Sequence, residues 1–111
     1  MIAKPNEALR RARRKYEMKQ EDARWSASVK QRAGLQCEKP GCDKKFKGLA
    51  AHHVFSRSNK KVRHYVPNGV CLCNGHHMFW AHKVPHNFRD VMTKLRGGEW
   101  WDDLRKKSNG Q

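Results

Sequence analysis

The positions of the cysteines and histidines constrain the fold of this 111-residue chain more than any other feature. All four cysteines and six of the seven histidines lie between Cys37 and His82. A chain of this length buries little apolar surface, so an additional source of stability such as a bound metal is expected. In a reducing compartment, cysteines at short spacing favour metal binding over disulfide bonds. The sequence therefore predicts a small domain organised around a metal site.

Two pairs of potential ligands, about thirty residues apart in the sequence, could complete a tetrahedral zinc site. Cys37 and Cys42 flank a Pro-Gly sequence that predicts a type II turn, which would bring the two cysteines together. Cys73 and His76 have the spacing at which a tight turn points both side chains inward. The alternative pair, Cys71 with Cys73, lies on one face of a strand and lacks such a turn. We predict a structural zinc bound by Cys37, Cys42, Cys73 and His76, although spacing alone leaves open whether Cys71 competes with His76.

The order of predicted elements indicates a small α+β domain with a helical arm. Residues 6–33 predict one long basic helix that ends at Gly34, with Leu9 and Tyr16 on a thin apolar stripe. The other predictions are a strand at 49–55, a loop at 56–63, a turn at 67–69, a strand at 70–73, and helices at 74–82, 88–95 and 99–107. Asn87 is the predicted cap of the helix at 88–95. The single domain thus divides into a basic arm, residues 1–36, and a core with C-terminal helices, residues 37–111.

The net charge of +15 favours a polyanionic partner, most plausibly nucleic acid. The alternatives are a basic protein without a specific ligand and a membrane-surface binder. A solvated surface helix explains the charge of the arm as well as phosphate binding does. His64 and His86 are predicted to be surface histidines. The residues predicted to contact phosphates are Arg10, Arg13, Arg14, Arg57, Lys60, Lys61 and Arg63.

No apolar stretch in the sequence approaches the roughly 18–20 residues that span a bilayer. The first residues also lack the apolar core of a signal peptide. We therefore expect a cytoplasmic protein.

Two adjacent histidines, His52 and His53, form the predicted reactive centre. Consecutive side chains of a strand point to opposite faces, so His52 can bind a metal while His53 is expected to turn aside and face solvent. His77 could reach the same metal as His52, and His82, five residues later, is a candidate third ligand. A histidine with a pKa of about 6.5 can act as a general base at neutral pH. A divalent ion would stabilise charge in phosphodiester cleavage.

Three segments in this order resemble the HNH endonuclease motif of the ββα-metal fold. They are Ala-His-His-Val at 51–54, Asn-Gly-Val at 68–70 and Leu-Cys-Asn-Gly-His-His at 72–77. The resemblance covers about residues 37–82 and is closest to small phage-type HNH proteins. It implies a ββα-metal core stabilised by zinc, and a metal-dependent endonuclease that hydrolyses DNA to 5′-phosphate and 3′-hydroxyl ends.

The resemblance also implies roles for individual residues. His53 would be the general base that activates water, and Asn68 would steady the backbone around it. His52 and His77 would hold the catalytic Mg²⁺, Mn²⁺ or other divalent ion. His52 stands where many members have Asp, and His76 stands where a second Cys is usual. Because phage-type members often act with the DNA-packaging terminase, the resemblance suggests that partner, and the host cytoplasm as the location.

Two other classes of function compete with the nuclease. A zinc-stabilised DNA-binding module without catalysis would explain the charge and the zinc ligands. A redox or metal-sensing switch would use Cys71 and Cys73. Neither alternative requires Asn68 and His77 to follow the two histidines in this order, and the nuclease does.

Overall fold

The structure, a computed structural model, describes residues 5–111 and confirms a small α+β architecture. Residues 1–4 of the predicted arm lie outside the described part of the chain. The long helices are α1 (Pro5–Arg32), α3 (Pro85–Arg96) and α4 (Gly98–Ser108). The strands are β1 (Leu49–His53) and β2 (Gly69–Cys73), and a short α2 (Asn74–His76) follows them. A 3₁₀ turn, Val66–Asn68, precedes β2, and a π-helical turn, His77–Ala81, follows α2.

The two strands form one antiparallel pair that carries the candidate site. His52 lies opposite Val70 and His53 lies opposite Gly69 in its register. Because side chains alternate along a strand, the two histidines face different neighbours. One face of the pair packs under α3 and the π-helical turn, and the other face packs under α1.

The second half of α1 belongs to the hydrophobic core. Trp25 and Val29 are buried and pack on Cys71 of β2. Leu9 and Tyr16, on the predicted thin apolar stripe of the first half, are 66% and 65% exposed. The helix ends as predicted at Gly34, which has a φ of +72°. Only the first half of α1 therefore projects as an arm.

Gly69 is required for the close approach of α1 to the strand pair. A Cβ at this position would overlap a methyl group of Val29 and lie 2.9 Å from the Trp25 ring. We expect Gly69→Ala to destabilise the protein by about 1–3 kcal/mol, because neither buried side chain has space to move. Gly98→Ala is the matched control, since a Cβ there meets nothing within 4 Å. Chemical denaturation measures both, and equal stability of the two variants would contradict the prediction.

The predicted helix at 74–82 consists of two different turns. After α2, the chain widens into the π-helical turn, in which the His82 N–H donates to the His77 carbonyl. In an α-helix, residues five apart would point about 140° away from each other. The i→i+5 bonding of a π turn instead brings them to the same side. This local widening places His77 beside His82.

Asn87 is not the cap of the following helix, so that prediction was wrong. Helix α3 begins two residues earlier, at Pro85, where the missing N–H of proline costs no helical hydrogen bond. The Asn87 side chain instead accepts a hydrogen bond of 2.7 Å from the Trp80 indole. That bond ties α3 to the π-helical turn.

Among the helices of residues 5–111, none combines the length and the apolar character needed to cross a membrane.

Candidate metal centres and the surroundings of His53

The four predicted zinc ligands form one cluster. The Sγ atoms of Cys37, Cys42 and Cys73 and a ring nitrogen of His76 all lie within 4.8 Å of one another. His76 Nδ1 is 3.2 Å from Cys73 Sγ and 3.6 Å from Cys37 Sγ. Such a group can hold a metal ion, and its three sulfurs and one imidazole are compatible with a structural zinc.

Local turns at both ends of the cluster bring the ligands together. The Cys42 N–H donates to the Lys39 carbonyl at 3.1 Å, and Gly41 has a φ of +84°, as the predicted turn requires. Cys73 ends β2 and caps α2, where its sulfur accepts from the His76 N–H at 3.4 Å. The open question of Cys71 is thereby answered. Cys71 is fully buried under α1, away from the four ligands.

The thiols of this cluster differ in how readily they lose a proton. Burial raises the pKa of the Cys37 thiol to about 11. At Cys73 burial also raises the pKa, but hydrogen bonds from the His76 N–H and from the other two cysteines outweigh it and lower the pKa. A divalent ion would stabilise both thiolates, because metal ligands must be deprotonated.

A second cluster consists of three imidazoles. His52, His77 and His82 each place a ring nitrogen within 4.8 Å of the other two. The Nε2 atoms of His77 and His82 are 3.1 Å apart. The His52 ring centroid is 5.2 Å from that of His77 and 5.0 Å from that of His82. His52 lies on β1, His77 lies at the start of the π-helical turn, and His82 is the C-cap of that turn.

Two of the three imidazoles, those of His52 and His77, are held in the form that binds a cation. Burial, together with the neighbouring His77 and His82, lowers the pKa of His52 to about 3. Burial also lowers the pKa of His77. A neutral imidazole presents a lone pair, whereas a protonated one repels a metal ion. This cluster is therefore a candidate divalent-ion site at neutral pH.

His53 lies on the other face of β1, against α1. Its ring stacks on the Trp25 indole, with centroids 3.9 Å apart and planes 10° from parallel. Its Nε2 is 3.0 Å from the Arg63 carbonyl oxygen. Since a carbonyl only accepts, we assign the hydrogen to Nε2, which leaves Nδ1 as the basic nitrogen. The pKa of His53 is lowered, chiefly by burial, so the ring is neutral at pH 7.

Side chains from both faces of β1 line one cleft, which has a volume of about 640 Å³. Its lining includes His53 together with all three imidazoles of the second cluster, and Arg57 stands at the same opening. We expected His53 to face solvent. It is half-buried under Trp25 instead, although it still lines the cleft.

Asn68 is fully buried and bonded to both ends of the loop that follows β1. Its Oδ1 accepts from the Phe55 N–H at 2.7 Å. Its Nδ2 donates to the carbonyls of Phe55 and Val62, at 3.0 and 3.1 Å. Val62 directly precedes Arg63, whose carbonyl holds His53. The side chain thus lies one residue from the backbone that orients the His53 ring.

Sequence reasoning missed an ionic cluster around Asp22 of α1. The Asp22 carboxylate binds Arg63 at 2.8 and 3.0 Å and His64 at 2.7 Å. His64, predicted to be a surface histidine, also lies 3.1 Å from Glu21. About forty residues separate these partners, and no local pattern connects them.

Apart from Arg63, the predicted phosphate ligands are exposed. The Arg57 side chain is 66% exposed and lies 3.6 Å from Asp22. Arg63 is only 15% exposed, so its guanidinium serves the fold in this conformation. The remaining members, all exposed, are Lys60 and Lys61 in the loop and Arg10, Arg13 and Arg14 on α1.

Comparisons of this chain with protein-family models, with curated proteins and with solved structures found no match.

Proposed function

We propose that the protein is a metal-dependent DNA endonuclease of the HNH type, with a structural zinc at the Cys₃His cluster. One observation carries the proposal: the imidazole cluster of His52, His77 and His82 opens into the same cleft as His53. A cation site and a neutral histidine base at one opening are the two components that metal-assisted hydrolysis needs.

In the proposed reaction, His53 acts as the general base. Its Nδ1 removes a proton from a water molecule, whose oxygen attacks the phosphorus atom. The bond from phosphorus to the 3′ oxygen breaks, and that oxygen takes a proton from solvent, which leaves 5′-phosphate and 3′-hydroxyl ends. The Arg63 carbonyl accepts from Nε2 and so stabilises the imidazolium that forms. When bound at the imidazole cluster, a divalent ion supplies charge stabilisation for the phosphate and the leaving oxygen.

The donor set favours some ions over others. Imidazole nitrogens suit Zn²⁺ and other first-row transition ions, whereas Mg²⁺ prefers oxygen ligands. The cluster of His52, His77 and His82 offers three nitrogens and no carboxylate. We therefore propose a transition-metal ion as the preferred cofactor, with Mn²⁺ more effective than Mg²⁺.

Positive charge near the cleft supports DNA as the substrate. Arg57 lines the cleft, and Lys60 and Lys61 are exposed in the loop that begins there. The exposed arginines of α1 extend this charge, and the whole chain has a net charge of +15. Phosphate contacts of this kind give affinity without sequence specificity and depend steeply on salt.

Supercoiled plasmid incubated with the purified protein and a series of divalent ions tests the proposal. We expect nicking that Mn²⁺ and other transition ions stimulate more than Mg²⁺ does, because nitrogen ligands dominate the site. His77→Ala should raise the metal concentration that is needed, since it removes one of three ligands. The proposal would be contradicted by a folded, zinc-loaded protein that binds DNA but does not nick it in the presence of any of these ions.

That contrary result would favour the alternative, a zinc-stabilised DNA-binding module. The exposed basic residues and the Cys₃His cluster suffice for such a module. The packaging terminase stays a proposed partner on the strength of the family resemblance alone. Stimulation of nicking by added terminase from a phage that encodes such a protein would test it.

A further inference from the structure

We infer that Asp22 and Trp25 of α1 are positioning residues for His53, so that α1 completes the nuclease site as well as adding positive charge. The catalytic part of this inference rests on the proposed function. The structural part, that α1 fixes the His53 ring, does not.

The contact between Asp22 and Arg63 is bidentate and partly shielded from water. Both carboxylate oxygens are used, Oδ2 with Arg63 Nη2 at 2.8 Å and Oδ1 with Arg63 Nε at 3.0 Å. The Arg63 and Asp22 side chains are only 15% and 28% exposed. Hydrogen bonds from Arg63 lower the pKa of Asp22 well below its ordinary value, so the carboxylate stays ionised. A bidentate pair of this kind fixes orientation as well as distance.

The same arginine holds His53 through its backbone. The Arg63 carbonyl accepts from His53 Nε2 at 3.0 Å, so a displacement of Arg63 moves the acceptor that sets the rotation of the imidazole. Asp22 therefore acts on His53 through Arg63. It also lies 3.6 Å from the exposed Arg57 of the cleft lining.

Trp25 fixes the plane of the same ring. It lies three residues after Asp22, which places both side chains on one face of α1. Its indole covers the His53 ring at 3.9 Å, and its Nε1–H donates to the Tyr65 carbonyl at 2.9 Å. Trp25 is only 5% exposed, so its own position is fixed by packing. The stacking fixes the tilt of the imidazole, and the Arg63 carbonyl fixes its rotation.

The two acidic neighbours on α1 provide a matched pair of variants. Asp22→Asn and Glu21→Gln each remove one negative charge from the same turn, and both residues contact His64. Only Asp22 contacts Arg63. We expect Asp22→Asn to lower kcat for plasmid nicking by about 10–100-fold with little change in KM, because supporting residues typically have effects of that size. Glu21→Gln should leave kcat unchanged.

NMR of the metal-loaded protein gives a readout that is independent of cleavage. The indole ring current shifts the His53 ring protons upfield, and comparison with His53→Ala assigns them. Asp22→Asn should move these signals towards the values of an unstacked histidine, and Glu21→Gln should not. Arg63→Lys is the second variant, since it keeps the charge but loses the bidentate geometry, and it should also lower kcat.

The outcomes separate the two hypotheses. If the wild-type protein never nicks DNA but Asp22→Asn shifts the His53 signals, the proposed function fails and the structural role of α1 stands. If the wild-type protein nicks DNA and kcat is unchanged in Asp22→Asn, the inference is overturned. Should Asp22→Asn not fold, an unchanged kcat in Arg63→Lys overturns it in the same way.

Discussion

Replacement of His53 by alanine is expected to reduce the rate of plasmid nicking by about 10²–10⁴-fold, the usual contribution of a general base. The variant removes the only imidazole of the cleft that faces away from the metal-ion cluster, among the residues that the structure describes. DNA binding should persist, because the exposed arginines and lysines are unchanged. The zinc content should persist as well, because the Cys₃His cluster lies at the other end of the strand pair.

His86→Ala is the matched control for this experiment. His86 is an exposed histidine on the first turn of α3 and belongs to neither metal-ligand cluster. We expect it to nick plasmid at the wild-type rate. Single-turnover rates, filter binding at two salt concentrations and melting curves are measured for both variants. Wild-type nicking by a folded His53→Ala protein would remove His53 from the role of base.

Replacement of Cys37 by alanine is expected to abolish high-affinity metal binding and to unfold most of the protein. Structural zinc in small domains contributes an apparent binding free energy of about 10–16 kcal/mol at neutral pH. The whole stability of a domain this size is about 5–15 kcal/mol. Loss of one ligand therefore removes an amount comparable with the entire stability. A metal held by Cys37 and Cys42 on one side and by Cys73 and His76 on the other would join the segment after α1 to the end of β2, and within residues 5–111 no disulfide does so.

Cys71→Ala is the control that separates metal loss from the loss of a buried sulfur. Cys71 is fully buried but packs on Trp25 and Val29, outside the ligand cluster. We expect it to keep one tightly bound zinc and to lose only about 1 kcal/mol, as an ordinary core substitution does. Elemental analysis, circular dichroism and thermal melting check both variants. Equal zinc content in Cys37→Ala and Cys71→Ala would contradict the assigned ligand set.

The elements that were predicted correctly are those whose signals are local. Gly34 ends α1, and the Pro-Gly turn brings Cys42 towards Cys37. Both strands occur within two residues of their predicted bounds. A turn residue or a period-2 pattern fixes backbone conformation over a few residues, and that range is enough for these features.

The features that were missed depend on packing between distant segments. The burial of Trp25 and Val29 was not predicted, because only the position of the strand pair decides which turns of α1 are covered. Asn87 has the composition of a helix cap, but the nearby Trp80 indole offers it another hydrogen bond. The π-helical turn that brings His82 beside His77 adds one residue to a turn, and no local sequence signal marks it.

The sequence by itself predicted the strand pair, the separation of His52 from His53, and three of the Cys₃His ligands, Cys37, Cys42 and Cys73, because each follows from short-range spacing or from the alternation of a strand. The structure decided that His76, and not Cys71, is the fourth member of that cluster. Only the tertiary structure decided how His53 is held. Asp22 and Trp25 reach it from a helix about thirty residues away in the sequence, and that contact exists only once α1 packs on the strand pair. Side chains so far apart in the chain meet through burial of apolar surface, which the spacing of residues does not encode.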